Sequence, residues 1–434
     1  MKEKIKIGYI GLGRRGYQIM KDFIIKMSDV EVLAICDINP SAIERTLKLF
    51  SESGLPLPKT ATDYKELTRN PELDAIMIMT GWDGHIAPAI DSLKAGKYTA
   101  IEVGCAYDIS ECFELLAAHE ETGAPLMMLE NCCYGRRELM ATRMTRDGLF
   151  GEIVHCTGGY CHYLNDCDLL KPVDGNVDYS HYRITEYANR NTEQYPTHEL
   201  GPISKLLKIN RGNRMLTIAS HGSKARGLSD YIKRALPADN PFSNTTFKQS
   251  DIVETIITCA GGETIRLTLD TTLPRPFYSR DFSIRGTRGM CVESAKNVCT
   301  YYIDGLEGMV HDKVFNNEEE MFEKYDHPLH TKYKNEGGPI GSHDGMDWLV
   351  LRAFFESVKQ EIDTPIDVYD SVLWLAIGPL SEQSLARGGA VIDIPDFTKG
   401  KWMRREPAPK SCFNLDEIVD DDPTSIVSCC KREN

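Results

Sequence analysis

Long apolar runs are missing from the 434 residues. No stretch approaches the roughly 20 residues that a helix needs to cross a bilayer, so no membrane partner is expected. Met1-Lys-Glu-Lys leads directly into strand-like sequence, and no secretory leader is expected either. Positive charge is scarce as well: 50 Lys and Arg stand against 64 Asp and Glu, a formal net charge of −14. Basic runs such as Arg136-Arg137 are short, which argues against nucleic acid, since phosphate backbones demand clustered cations. Neither Cys-x-x-Cys nor His-Glu-x-x-His spacing occurs, so no metal ligand set is expected. The 14 cysteines are scattered, and Cys132-Cys133 and Cys429-Cys430 are adjacent pairs unlike a secreted disulfide framework. Reduced thiols and a cytoplasmic location are the expectation. There is no internal repeat.

What is present is concentrated near the start of the chain. The apolar run Ile5–Ile10 leads into Gly11-Leu12-Gly13-Arg14-Arg15-Gly16, the G-x-G-x-x-G pattern. Such a turn lets the backbone approach a dinucleotide pyrophosphate, which then sits at a helix N-terminus. Val30–Cys36 reads as the next strand and ends in Asp37, about 20 residues on, where a carboxylate binds a ribose 2′-hydroxyl and favours NAD over NADP. Strand, turn, helix, strand and acid fall in the required order.

The length suits about two domains. Through residue 150 the pattern alternates strand and helix: helix at 40–50, a Pro-containing loop at 54–60, strand Asp74–Met79, helix 83–95, strand Lys97–Glu102, helix 108–121 and strand Pro125–Leu129. This is the signature of a doubly wound parallel sheet, an N-terminal Rossmann domain over 1–150. Residues 151–399 read as an α+β domain with an open, mostly antiparallel sheet. Its strands are Ile153–Tyr163, Met215–Ser220, Asp251–Ala260, Glu263–Thr271, Asp281–Arg285 and Met290–Ser294, completed by helices near 343–359 and 369–387. Residues 400–434, with little periodicity and the run Asp420-Asp-Asp422, read as a tail on the surface or on a partner subunit.

Open α/β sheets bind ligands at the carboxyl ends of their strands. On that edge lie Trp82 and His85, after the third long strand, although His85 equally suits a helix cap. Glu102 follows the next strand, and Glu130 with Asn131 follows the last. All five are cofactor-site candidates.

Five segments carry a narrower likeness: Met128-Leu-Glu-Asn-Cys-Cys-Tyr-Gly135, Gly148-Leu-Phe-Gly-Glu-Ile-Val154, Tyr195-Pro-Thr-His-Glu-Leu-Gly-Pro202, Ile209-Asn-Arg-Gly-Asn-Arg214 and Leu273-Pro-Arg-Pro276. Over roughly residues 5–390 the chain resembles the Gfo/Idh/MocA oxidoreductases and, within them, glycoside hydrolase family 109. That resemblance implies NAD as cofactor and an N-acetylgalactosaminide or related glycoside as small-molecule substrate. It also implies a homo-oligomer built through an exposed sheet face. His198 is implied as the acid/base, with Tyr160 and Tyr278 facing the sugar, although Phe277 competes for the position of Tyr278 and Tyr160 reads equally as a half-buried strand residue. His181, Tyr182, Arg183, Asn191 and Tyr195 are implied substrate contacts, and Glu102 a contact of the nicotinamide ribose.

Two departures from the wider superfamily matter. Its usual Glu-Lys-Pro is Glu102-Val-Gly104 here, and its Asp four residues before the active-site His is Gln194. A plain dehydrogenase, making a 3-keto sugar or oxidising a cyclitol, is therefore the second expectation. A redox-neutral glycosidase is the first, because an imidazole exchanges protons near neutrality and needs no carboxylate pair. A cofactor-binding scaffold without catalysis is the third.

Overall fold

The computed structural model describes residues 3–173, 176–294 and 297–430. Its contacts group the chain into two compact units. One holds the residues up to Met140, Asp326–Leu375 and those from Glu406 on; the other holds Ala141–Tyr325 and Ala376–Arg405.

In the first unit β1 (Ile5–Ile10), β2 (Val30–Cys36), β3 (Lys59–Ala61), β4 (Ala75–Ile78), β5 (Tyr98–Ile101) and β6 (Leu126–Met128) form one sheet in the order 3-2-1-4-5-6. Every pairing is parallel. All four residues of β4 are buried, as expected of a strand covered on both faces. The connecting helices are α1 (Arg14–Asp22), α2 (Pro40–Glu52), α3 (Lys65–Thr68), α4 (Ile86–Lys94) and α5 (Ile109–Thr122). Asn39 caps α2 and Asp108 closes a capping box with Glu111 on α5, so side chains set where these helices begin. α6 (Arg136–Arg146) follows the sheet.

The second unit is built on an eight-stranded sheet. It contains β7 (Ile153–Cys161), β10 (Met215–Gly222), β11 (Ile252–Cys259), β12 (Thr264–Asp270), β13 (Ser283–Gly286), β14 (Gly289–Glu293), β15 (Cys299–Ile303) and β16 (Ile392–Asp393), in the order 15-14-13-7-12-11-10-16. A separate short pair joins β8 (Pro172–Val173) to β9 (Asn176–Val177). Only β7 and β12 pair in parallel within the large sheet; its other pairs are antiparallel. Alternate residues of β12 are buried, so one face is core and the other is open. Helices α7 (Tyr182–Asn189), α8 (Thr197–Leu206), α9 (Gly227–Ala235) and α10 (Glu318–Tyr325) belong to this unit. A satellite core of Leu164, Leu169, Ile184, Tyr187, Leu228 and Ile232 joins α7 to α9.

The first unit is completed by α11 (Pro328–Asn335) and by α12 (Met346–Gln360), buried along nearly its whole length. α13 (Val368–Ala386) runs through the boundary at residue 375. The grouping thus differs from a serial division at residues 150 and 399, because chain far along the sequence packs on the first sheet. Arg352 of α12, for example, makes two 3.0 Å bonds to Asp29.

The tail is not a surface appendage. Phe413 and Ile426 are fully enclosed; Tyr134 donates to the Phe413 carbonyl, Trp348 donates to that of Ile426, and Glu336 accepts from the Ser425 hydroxyl and the Ile426 amide. Its lack of periodicity misleads, because it is held by single anchors and backbone bonds and not by a repeating apolar face. β15, β16, α7 and α9 to α11 also escape the sequence pattern: two to nine residues are too few to display a period.

Candidate cofactor and substrate sites

The candidate cofactor-binding residues lie at the carboxyl ends of the parallel strands. Gly11 adopts φ +93°, and a Cβ there would meet the Met79 carbonyl carbon at 2.7 Å. A Cβ on Gly16 would run into the Gly11 carbonyl, so only glycine lets α1 start this close to the strand. Gly13 is the N-cap of α1, offers no capping side chain and has open space beside it. The first-turn N–H groups of a helix have no partner in the helix itself, and here they open where a pyrophosphate is required.

Asp37 accepts from the Leu12 amide at 2.6 Å and the Asn39 amide at 2.8 Å, which orients its carboxylate at the end of β2. Each oxygen keeps a lone pair for a ribose hydroxyl. The donors, the glycine turn and the acid all fit a dinucleotide.

Several expected contacts turn out to be engaged elsewhere. Arg14 is exposed. Arg15 turns its guanidinium onto carboxylates: Nη2 and Nη1 reach Asp347 at 2.7 and 3.1 Å, and Nε reaches Glu102 Oε1 at 3.4 Å. Its backbone, and not its charge, is what the helix start offers a phosphate. His85 is buried and donates Nε2–H to the Thr80 carbonyl at 2.8 Å; burial pushes its pKa down to about 4, so it braces the loop as a neutral ring. Trp82 is buried against Gly104, where any Cβ would collide with the indole. That packing accounts for glycine in place of the superfamily proline. Glu130 caps the 3₁₀ turn Asn131–Tyr134 through the Cys132 amide, and Asn131 donates to Asp347 at 2.9 Å. Burial raises the pKa of Glu102, opposed by the adjacent Arg15.

The candidate substrate-binding residues cluster in the second unit, where β7 ends and α8 begins. Tyr160 is the hub: its ring centroid lies 4.4 Å from that of Tyr195, 5.6 Å from His198 and 6.1 Å from Tyr278. Tyr195 and His198 meet edge-on at 4.7 Å. Tyr278, not the exposed Phe277, joins this cluster. His162 also belongs to it, 5.3 Å from Tyr278 and 5.9 Å from Tyr160, with its pKa lowered by burial. Sequence reasoning missed His162, yet its place two residues beyond Tyr160 at the end of a strand was a usable signal.

The Arg183 guanidinium sits 4.8 Å from the Tyr195 ring centroid, and His181 stacks on Tyr182. Asp168, also missed, gathers them: its Oδ2 lies 3.3 Å from His181 Nε2 and 3.6 Å from Arg183 Nη1. Asn191 serves the scaffold by accepting from the Ser250 amide.

Neighbouring residues set the cluster. Gly158 is compulsory because a Cβ would strike the Glu199 side chain, which brings α8 onto β7. Pro202 inside α8 cannot donate to the carbonyl of His198 four residues earlier. Glu199 pairs with Arg280 at 3.2 Å, both buried, linking the residue after His198 to the segment of Tyr278. Ser279 and Cys161 exchange two backbone bonds, which fixes Tyr278 beside Tyr160. Gln194 donates to Gln249, whose amide in turn bonds Thr192, a neutral network where the superfamily carries a charge.

A Gly-rich turn with an acid at the end of the next strand of a parallel sheet, and an open-sheet unit carrying a His and Tyr cluster, define a two-unit NAD-binding enzyme of the oxidoreductase build. Residues 5–130 match the oxidoreductase family with an NAD-binding Rossmann fold, and residues 134–404 match the glycosyl hydrolase 109 C-terminal domain. The chain is 36% identical over 422 residues to an alpha-N-acetylgalactosaminidase of Tannerella forsythia, covering 93% of this chain and 88% of that protein. It is likewise 36% identical to a glycosyl hydrolase family 109 protein of Stenotrophomonas maltophilia, covering 93% and 91%. The chain belongs to glycosyl hydrolase family 109. Its fold is shared with levoglucosan dehydrogenase in complex with NADH, with TM-score 0.66, 17% identity and coverage of 91% and 100%. An inositol dehydrogenase homologue from Azotobacter vinelandii, complexed with NAD⁺, gives 0.65, 17% and coverage of 90% and 97%.

Proposed function

We propose that the protein is an NAD-dependent, redox-neutral glycosidase acting on N-acetylgalactosaminides or closely related glycosides. The observation that carries this reading is the packing of Tyr195, His198 and Tyr278 against the Tyr160 ring, an acid/base set made of imidazole and phenols. Bound NAD supplies a reversible hydride sink at sugar C3, so that the C2 proton becomes acidic while no net oxidation results.

His198 takes the C2 proton as the C1–O bond breaks, exchanges it with solvent, and delivers a solvent-derived proton to C2 as water adds to C1. Tyr160 and Tyr278 hold the C3 hydroxyl and the departing oxygen, and carry their protons. Arg183, held by Asp168, and His181 bind the polar substituents of the ring, with Tyr195 as the wall beneath them. Asp37 and the first turn of α1 hold the dinucleotide.

The second reading, a 3-keto-sugar or cyclitol dehydrogenase, shares the cofactor but must accumulate NADH. Among the described residues no two cysteines form a disulfide, which supports a cytoplasmic location. Among the described residues no helix is long and apolar enough to cross a membrane.

The test follows nitrophenol and NADH together on α- and β-nitrophenyl N-acetylgalactosaminides in deuterated water. Phenol release without stoichiometric NADH, and deuterium at C2 of the sugar, are expected. His198→Ala abolishes both while retaining NAD. Sustained NADH without phenol selects the dehydrogenase, and undiminished activity in the variant removes His198 from the mechanism.

A further inference from the structure

Asp347 is 1% exposed, sits in the first turn of α12, and lies more than 300 residues beyond the Gly-rich turn. It nevertheless accepts hydrogen bonds from three separate segments. Arg15 brings two from the first turn of α1; Asn131 brings one at 2.9 Å from the loop after β6; His343 Nδ1 approaches at 2.9 Å from the loop before α12. Burial by itself would raise its pKa, but the hydrogen bond from His343 and the Arg15 guanidinium overturn that and hold the carboxyl below the usual range.

The loop that delivers His343 is costly. His343, Asp344 and Gly345 have φ of +54°, +51° and +82°, three consecutive left-handed residues of which two carry side chains. Backbone strain of this kind persists where surrounding contacts over-determine it. Here the contact is the bond to Asp347.

Arg15 carries the link onward. Its guanidinium bridges Asp347 and Glu102, so this first-turn side chain is tied to the end of β5. We propose that Asp347 is a positioning residue of the cofactor site, which through Arg15 locks the first turn of α1 in register with Glu102 and thereby sets how tightly NAD is held. The inference rests on NAD being the cofactor and not on the identity of the sugar.

Protein purified with its NAD is chased with excess NADH, and release is timed by the rise of bound NADH fluorescence, with no glycoside present. Asp347→Asn is expected to release NAD about tenfold faster, and so is Arg15→Met. The double variant releases no faster than Arg15→Met alone, because both changes cut the same link. An unchanged rate in Asp347→Asn, or single effects that multiply in the double variant, overturns the proposal. A lowered unfolding midpoint with unaltered release marks Asp347 as merely structural and overturns it too. Should Asp347→Asn fail to fold, Arg15→Met stands in: an unchanged release rate there is equally fatal. A failed glycosidase assay would leave this result untouched.

Discussion

Glu193, two residues before Tyr195, is 1% exposed, and burial drives its pKa up to about 8 against an ordinary 4.5, opposed by a hydrogen bond from the Tyr195 backbone. A carboxyl whose folded pKa is raised contributes stability that is complete below about 4.5 and is lost as pH climbs through about 8. Moving a titration by one pH unit corresponds to about 1.4 kcal/mol, so the loss amounts to a few kcal/mol. Glu193→Gln keeps the acceptor for the Tyr195 amide and removes the titration. Variant and parent should therefore unfold at similar urea concentrations near pH 4.5, and the variant should be the more stable at pH 9. Equal stability at both pH values would show that Glu193 ionises without cost.

Separate elements supply the residues of the Tyr160 cluster. β7 presents Tyr160 and leads into His162, α8 carries His198, and the 277–280 segment adds Tyr278. The Glu199–Arg280 pair ties the last two. Removing one partner of a buried pair leaves an uncompensated charge and costs about 3–5 kcal/mol, whereas replacing both by apolar groups is close to neutral. Glu199→Gln should thus lower the unfolding free energy and depress kcat. Adding Arg280→Met should restore most of the stability but not the rate, because the tether between His198 and Tyr278 stays broken. Recovery of full kcat in the double variant would show that the pair only balances charge.

At the scale of the molecule, the large sheet keeps one open face. Ile256 on β11 is 39% exposed, facing Arg266 across one pairing and Ala219 across the other. Arg266 in turn bonds Asp281 at 2.6 Å. A sheet face that mixes exposed Ile with ordered ion pairs and the Thr217–Thr258 hydroxyl bond suits a second copy of the same chain. We propose a homo-oligomer formed there. Sedimentation velocity should give more than one chain for the parent, and a lighter species for Ile256→Arg, which places a new cation beside Arg266. A parent that sediments as a single chain, or a variant that sediments like the parent, would rule out this face.

Local chemistry made much of this legible in the chain itself. The parallel sheet announces itself through buried apolar runs of fixed order, and the Gly11–Gly16 turn with Asp37 is short-range geometry that only certain residues satisfy. The strands of the second unit show in period-two burial, and the His198 motif is one contiguous segment. What only the tertiary structure decided is where distant segments meet. Asp347 has no local signature, being one acid among many until α12 packs on the first sheet and sets it beside Arg15. Asp168 becomes a partner of Arg183 only when α7 folds back, and the tail becomes core only because single side chains find separate pockets. Periodicity records what a residue does to its neighbours in the chain. Ion pairs and ring contacts between remote segments depend on packing, which no local pattern encodes.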